Sequence, residues 1–153
     1  MPAPADPPKV IVTLPQRVEL WYSNGHGTKK LLFSHDELAC PRTGIVKLAD
    51  GFACALVDLR VAWGKPMKLN SACRSAAYNA SIKGHPRSLH IYDAPQHGLN
   101  GTAAIDVSTP DASQAGALAF LAWQMGWAVG VGRGFLHLDQ RALAGMPKVL
   151  FGY

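Results

Sequence analysis

The sequence predicts an α+β fold: a small, mostly antiparallel sheet with helices packed on one face and a cleft on the other. Three features predict it. Phe52, Leu56, Leu59 and Trp63 recur at i, i+4, i+7 and i+11, one face at helical period. Several short β-rich runs are bounded by Gly, Pro, Asn and Ser turns. Inside two of those runs, 103–107 and Phe135–Asp139, the polar residues Asp106, His137 and Asp139 alternate with Ile105, Val107, Leu136 and Leu138. Strand side chains alternate faces, so the polar set lies opposite the apolar set.

In chain order, residues 1–8 are Pro-rich and read as a disordered lead-in. Lys9–Leu14, 18–22 and 30–33 are β-rich, with Ser23-Asn24-Gly25-His26-Gly27 as a turn; they predict an N-terminal hairpin or clasp over 9–32. Ser34 is placed to cap a short helix, with Glu37 at capping-box spacing. Gly64-Lys65-Pro66 ends the helix Phe52–Trp63. A strand over 67–71 leads into a short helix over 76–82. Residues 83–101 hold Gly, Pro, His, Ser and Asn with little periodicity; a loop this long in a compact domain is functional or disordered. Residues 102–108 form a strand. Asp111 or Ser113 caps a helix that runs to Met125, apolar nearly all round and so expected to be well buried, with Gly126 as its C-cap. Residues 127–131 and Phe135–Asp139 form a hairpin across Gly132-Arg133-Gly134. The run Gly130-x-Gly132-x-Gly134 opens no helix, so it reads as turn chemistry and not as a phosphate cradle.

The length of 153 residues predicts one domain over 9–153, with the N-terminal clasp at 9–32 and the core at 33–153. With 48% apolar and 16% charged residues the composition is globular. No apolar run reaches a membrane span, and MPAPADPPKV is not a secretory signal, so the expectation is a chain that starts in the cytoplasm and does not insert in membranes. Three cysteines, Cys40, Cys54 and Cys73, make neither a disulfide framework nor a thiolate zinc site. Cys73 reads as a small buried filler, and His26 and His35 as surface residues. A net charge of +5 suits an anionic partner, but the charges are scattered and no nucleic-acid motif is present.

His90 stands at the mouth of the 83–101 loop. Together with Asp106 and His137 it makes two imidazoles and one carboxylate, with a fourth position left for water: the ligand count of a catalytic zinc site. Structural roles for an Asp and a His in strands remain the plain alternative.

Asn70-Ser71-Ala72-Cys73-Arg74-Ser75, Asn79, Ser88-x-His90, Ala103-x-x-Asp106 and Phe135-Leu136-His137-Leu138-Asp139 occur in that order. They resemble the zinc D-alanyl-D-alanine carboxypeptidases and their relatives, the L-alanyl-D-glutamate endopeptidases of phage lysins. Phe33 to Cys40, with Thr43-Gly44, resembles the opening of that domain in its phage and bacterial members. The likeness covers about 33–140. It implies that His90, Asp106 and His137 bind Zn2+, that Arg74 reaches the substrate beside the metal, and that Ser88 shapes the turn before the first ligand. A salt bridge within the fold is the other role open to Arg74.

Two departures bear on function. Residues 91–105 separate His90 from Asp106, where many members have a much shorter spacing. The insert 91–101 is expected to form a loop over the cleft, and it brings in His97, either a rival ligand to His90 or a substrate-contacting loop residue. The stretch before His137 has no acid, where the lysin members place one, so Asp139 becomes the candidate general base, with orientation of His137 as its alternative role. The resemblance therefore implies a zinc peptidase acting on peptidoglycan stem peptides, of phage-lysin or tail-associated type, working at the cell wall after release. The alternatives are a D-Ala-D-Ala carboxypeptidase and a catalytically inactive wall-binding or structural phage module.

Overall fold

The computed structural model describes residues 9–14, 17–23 and 26–153, the side chains from residue 17 onward. The expected lead-in at 1–8 lies outside the described residues. The elements are β1 (Lys9–Leu14), β2 (Arg17–Ser23), β3 (Lys29–Phe33), α1 (His35–Leu38), α2 (Phe52–Trp63), β4 (Leu69–Ser71), α3 (Ala76–Ser81), β5 (Ala104–Ser108), α4 (Ala112–Gln124), β6 (Ala128–Gly132), β7 (Phe135–Asp139), a 3-10 turn (Arg141–Ala144) and β8 (Leu150–Gly152). The fold is α+β. No helix among the described residues is long and apolar enough to cross a membrane.

Strands β1, β2 and β3 form an antiparallel sheet in that order. Leu20 and Phe33 carry it into the main core, both fully buried. The second sheet has the order β4-β5-β7-β6-β8, antiparallel throughout except for the parallel pair β6–β8. Sequence reading missed β8, because three residues after a proline carry too short a pattern. Helix α4 packs on β6 and β7, and α2 packs on α4. Phe52 of α2 meets Trp127 edge-on at 5.8 Å. Helix α3 stands instead at the rim of the opposite face, where Asn79 and Tyr78 reach the cleft residue Arg74 and its groove.

The local signals act as expected at the helix ends. Ser34 Oγ accepts from the Glu37 N–H, and Glu37 returns a carboxylate to the Ser34 N–H, satisfying two donors that the first turn leaves free. Gly64 ends α2 in the left-handed region, φ 71°. Asp111 caps α4 through the Ser113 and Gln114 N–H groups.

Three expectations are corrected. Helix α4 buries only Leu118 and Ala122, and Phe120 is 64% exposed; as an outer layer it needs one covered stripe, so apolar composition alone overstated its burial. His35 is buried, because its Nδ1 accepts from the Val18 N–H and its Nε2 then donates to the Gly44 carbonyl. The glycine run is only in part a turn. Gly134 turns the hairpin at φ 76°, but Gly130 and Gly132 are strand positions over which aromatic rings lie: a Cβ on Gly130 would sit 2.6 Å from the Phe151 ring, and one on Gly132 would overlap Phe135.

The insert 91–101 is ordered. Tyr92 and Thr43 share a 2.8 Å hydroxyl bond, the Ala76 N–H donates to Asp93 at 2.7 Å, and Lys47 donates to Asn100 at 2.9 Å. Gly101 (φ 137°) lets the loop return close over the backbone of Leu48 and Ala49.

Candidate metal centre

The site grows from one row across the sheet. Asp106 of β5 pairs with His137 of β7, His137 with Gly130 of β6, and Gly130 with Phe151 of β8. Ile105, Val107, Leu136 and Leu138 point into the core and are buried to 2% exposure or less, which turns Asp106 and His137 to the other face. His90 enters from the loop. Its backbone is fixed by the Arg74 N–H on its carbonyl, by Thr102 Oγ1 on the same carbonyl, and by Ser88 Oγ, which accepts the His90 N–H at 3.2 Å. Ser88 thus shapes the turn before His90.

His90 Nε2, Asp106 and His137 offer ligand atoms that all lie within 4.8 Å of one another. The fit to a cation can be tested on His90. Its Nδ1–H donates to the Ala72 carbonyl at 2.7 Å, which leaves Nε2 as a bare lone pair. Nε2 is fully buried, 3.2 Å from Asp106 Oδ1, and has no hydrogen-bond partner. Lone pair facing carboxylate oxygen without a proton between them is unfavourable, and a divalent cation placed among the three atoms resolves it. His137 Nδ1 lies 3.0 Å from the same Oδ1. The donor set, two nitrogens and one oxygen, suits zinc chemically.

The surroundings hold this geometry. Burial pushes the Asp106 carboxyl up, but the His137 imidazole beside it outweighs this and holds the group ionised. Burial pushes the His90 imidazole down, so it is neutral, as a ligand must be. For His137 burial acts the same way, yet the flanking Asp106 and Asp139 carboxylates raise it. Asp106 Oδ2 faces away and takes Arg74 Nη2 at 2.9 Å. Arg74 donates further to Ser71 Oγ and Asn79 Oδ1, and Asn79 Nδ2 holds the His85 carbonyl. The arginine thus makes the salt bridge weighed for it and also lines a groove with Asn70, Ser71, Tyr78 and Phe135.

Asp139 is 1% exposed and fully engaged. Oδ2 accepts from His137 Nε2 at 2.9 Å, and Arg141 clamps both oxygens at 2.9 and 2.7 Å. Burial pushes its carboxyl up, but Arg141 and His137 hold it at about 2. His97 lies apart from the three converging side chains. It lines a neighbouring hollow of about 360 Å³ with His85, Arg87, Met146, Phe151 and Tyr153. Sequence reading missed Arg141, Phe151 and Tyr153. The 137-139-141 alternation was a signal for the first; the aromatic pair at 151 and 153 was the signal for β8.

The layered α+β fold thus carries a largely buried His-Asp-His group that could hold a metal ion, with the donor set of a metal-dependent enzyme. A family model described as Peptidase M15 matches residues 32–139, and the chain belongs to the Peptidase M15 family. Neither a curated protein nor a solved structure matches the chain. Membership makes it a metal-dependent type of peptidase and supports peptidoglycan as the class of substrate.

Proposed function

We propose that the chain is a zinc-dependent peptidase that cleaves peptidoglycan stem peptides. The observation that carries this is the orphaned His90 Nε2, buried and converging with Asp106 and His137. His90, Asp106 and His137 would hold the zinc ion, which when bound would supply Lewis-acid activation of the scissile carbonyl and of a water. Arg74 fixes Asp106 by its outer oxygen and turns its remaining N–H groups to the groove, where they can take a substrate carbonyl or carboxylate. Asp139 acts as a positioning residue in this reading. Its oxygens are occupied by His137 and Arg141, so it fixes the His137 tautomer with Nδ1 directed at the metal position. That geometry favours the orienting role over the general-base role expected from sequence.

Hollows on two sides of the group support an endopeptidase over a D-Ala-D-Ala carboxypeptidase. One contains Asp106 and Arg74, the other His137 and Asp139, so the substrate chain has room to run past the group in both directions. A phage lysin or tail-associated setting belongs to the same proposal. The net charge of +5 would concentrate the protein on an anionic wall.

One observation favours a second reading. Among the described residues, Asp106 and Asp139 are the carboxylates that line the two hollows, and both are engaged. A wall-binding module that keeps the metal without hydrolysis would look the same. Mass spectrometry of purified peptidoglycan, incubated with the zinc-loaded protein with and without chelator, separates the readings. Chelator-sensitive peptides with a free N-terminal D-Glu support the endopeptidase, and loss of single D-Ala units the carboxypeptidase. No products from folded, zinc-bound protein across several wall types would refute hydrolysis.

A further inference from the structure

The hollow beside His137 is lined by Arg87, His97, Arg141, Phe151 and Tyr153, and by the Asp139 carboxylate, which His137 and Arg141 already engage. Arg87 and His97 stand on one side, with Arg87 Nη2 3.5 Å from His97 Nδ1. Among the described residues no carboxylate lies within ion-pair distance of Arg87. The other guanidinium in the wall, Arg141, is already occupied by Asp139.

His97 is held there at a conformational cost. It sits at φ 52°, a region uncommon for a residue with a Cβ, and Gly98 follows at φ 84°. The pair turns a minimal hairpin closed by Gln96 and Leu99, whose N–H and carbonyl groups bond reciprocally at 3.2 and 2.9 Å. The loop behind this tip is anchored by Tyr92, Asp93 and Asn100 as described above, so His97 is presented from a fixed support.

The aromatic part of the lining, Phe151 of β8 and Tyr153 just after it, lies beyond the residues that the family model matches. Phe151 packs on His137 at 5.8 Å between centroids, and Tyr153 on Phe151 at 5.6 Å. Gly130 makes this possible, since any side chain there would displace the Phe151 ring.

We propose that this hollow is a carboxylate subsite, in which Arg87 and His97 take a free substrate carboxylate near the scissile bond while Phe151 and Tyr153 pack on the carbon chain that bears it. An unpaired guanidinium offers two parallel N–H donors to a carboxylate, and the imidazole beside it adds a third. The rings supply apolar contact that water cannot replace. The proposal rests on the peptidase reading for its substrate. Two stem-peptide carboxylates have this chemistry, the α-carboxylate of γ-linked D-glutamate and the terminal carboxylate of D-alanine.

The test uses two matched pairs of synthetic peptides with the zinc-loaded protein. One pair is L-Ala-γ-D-Glu-L-Lys amide with the glutamate α-carboxylate free or amidated; the other is the pentapeptide ending in D-Ala-D-Ala, its glutamate α-carboxylate amidated, with a free or amidated terminus. Binding is read from amide shifts of residues 87 and 96–99, and hydrolysis from mass spectra of the same samples. One free acid should bind about 10- to 100-fold more tightly than its amide, and the pair that shows this names the source of the carboxylate. Arg87→Gln, at an exposed loop position, should bring acid and amide to near parity, and His97→Asn, which tolerates the same φ, should narrow the gap in part. Equal binding of acid and amide by the unaltered protein, no binding of any of the four, or discrimination that survives Arg87→Gln would overturn the subsite. Discrimination without hydrolysis would leave the subsite standing and remove the peptidase reading. Hydrolysis without discrimination would do the reverse.

Discussion

Asp106 and His137 stand directly opposite one another on β5 and β7, with His137 Nδ1 3.0 Å from Asp106 Oδ1. That pairing sets two potential ligands on rigid strands and leaves only His90 to be delivered by a loop. It also means that each neighbour of the pair, Arg74 on one side and Asp139 on the other, touches the His-Asp-His group through Asp106 or His137.

Zinc should raise the thermal stability of the protein, and a chelator should lower it again, because an ion that binds only the folded state stabilises it by mass action. The zinc content of the purified protein should approach one per chain and fall sharply in His90→Ala and His137→Ala. A protein with no zinc-dependent shift in Tm would contradict the assignment of the His-Asp-His group.

Asp106→Ala should be costly even without metal. It strips the carboxylate from a partly buried cluster and leaves the Arg74 guanidinium, 13% exposed, without its ion pair. Breaking a buried pair on one side costs about 3–5 kcal/mol. Urea unfolding of the metal-free variant measures this, and a loss below about 1 kcal/mol would show that Ser71 and Asn79 suffice to hold Arg74.

Asp139→Asn and Arg141→Ala separate the two roles of Asp139. As a positioning residue, Asp139 should affect zinc affinity, with a loss of about 10- to 100-fold in the asparagine variant and a similar direction for Arg141→Ala. A general base would behave otherwise: competition with a zinc indicator would show near-normal affinity while kcat collapsed.

Gly101→Ala should destabilise by about 1–3 kcal/mol or more, through strain at φ 137° added to a Cβ 2.6 Å from the backbone of Leu48 and Ala49. Gly98→Ala meets nothing within 4 Å and should cost less. Equal effects in denaturant melts would mean that the loop is not held against residues 47–49.

Cys40 should make stability depend on pH above neutrality. Burial pushes its thiol up, but Thr43 and the Ser75, Thr43 and Arg42 N–H groups outweigh this and hold it at about 7. Its folded pKa then lies below the unfolded value of about 8.5, so the ionised thiol contributes stability that is full above the unfolded pKa and lost as pH falls through about 7. Across that window the stability of the unaltered protein relative to Cys40→Ala should rise with pH, the imidazoles contributing equally to both. A difference between the two proteins that does not change with pH would count against it.

Much of the site was legible in the sequence. Period-two alternation placed Asp106 and His137 on one face, because strand geometry leaves them no other, and the motif order resembled a metallopeptidase family that the match over 32–139 bears out. The capping box at Ser34 and the glycine end of α2 were likewise local, since each is satisfied within one turn of chain.

Other features were decided by contacts between segments far apart in sequence. His90 and His97 both sit in the same loop region, and only the docking of 91–101 on residues 43–49 and 76 separates them, one converging on Asp106 and the other facing a hollow. Asp139 shares a strand with His137 in any reading, but its role depends on Arg141 closing over it. Apolar composition could not tell how much of α4 would be covered, because burial depends on how many layers the fold stacks outside it. Strand β8 formed where three residues found an open edge beside β6, and Gly130 let its rings lie against His137. Local pattern determines which way a side chain points. What it meets there depends on long-range packing, which a single stretch of sequence does not encode.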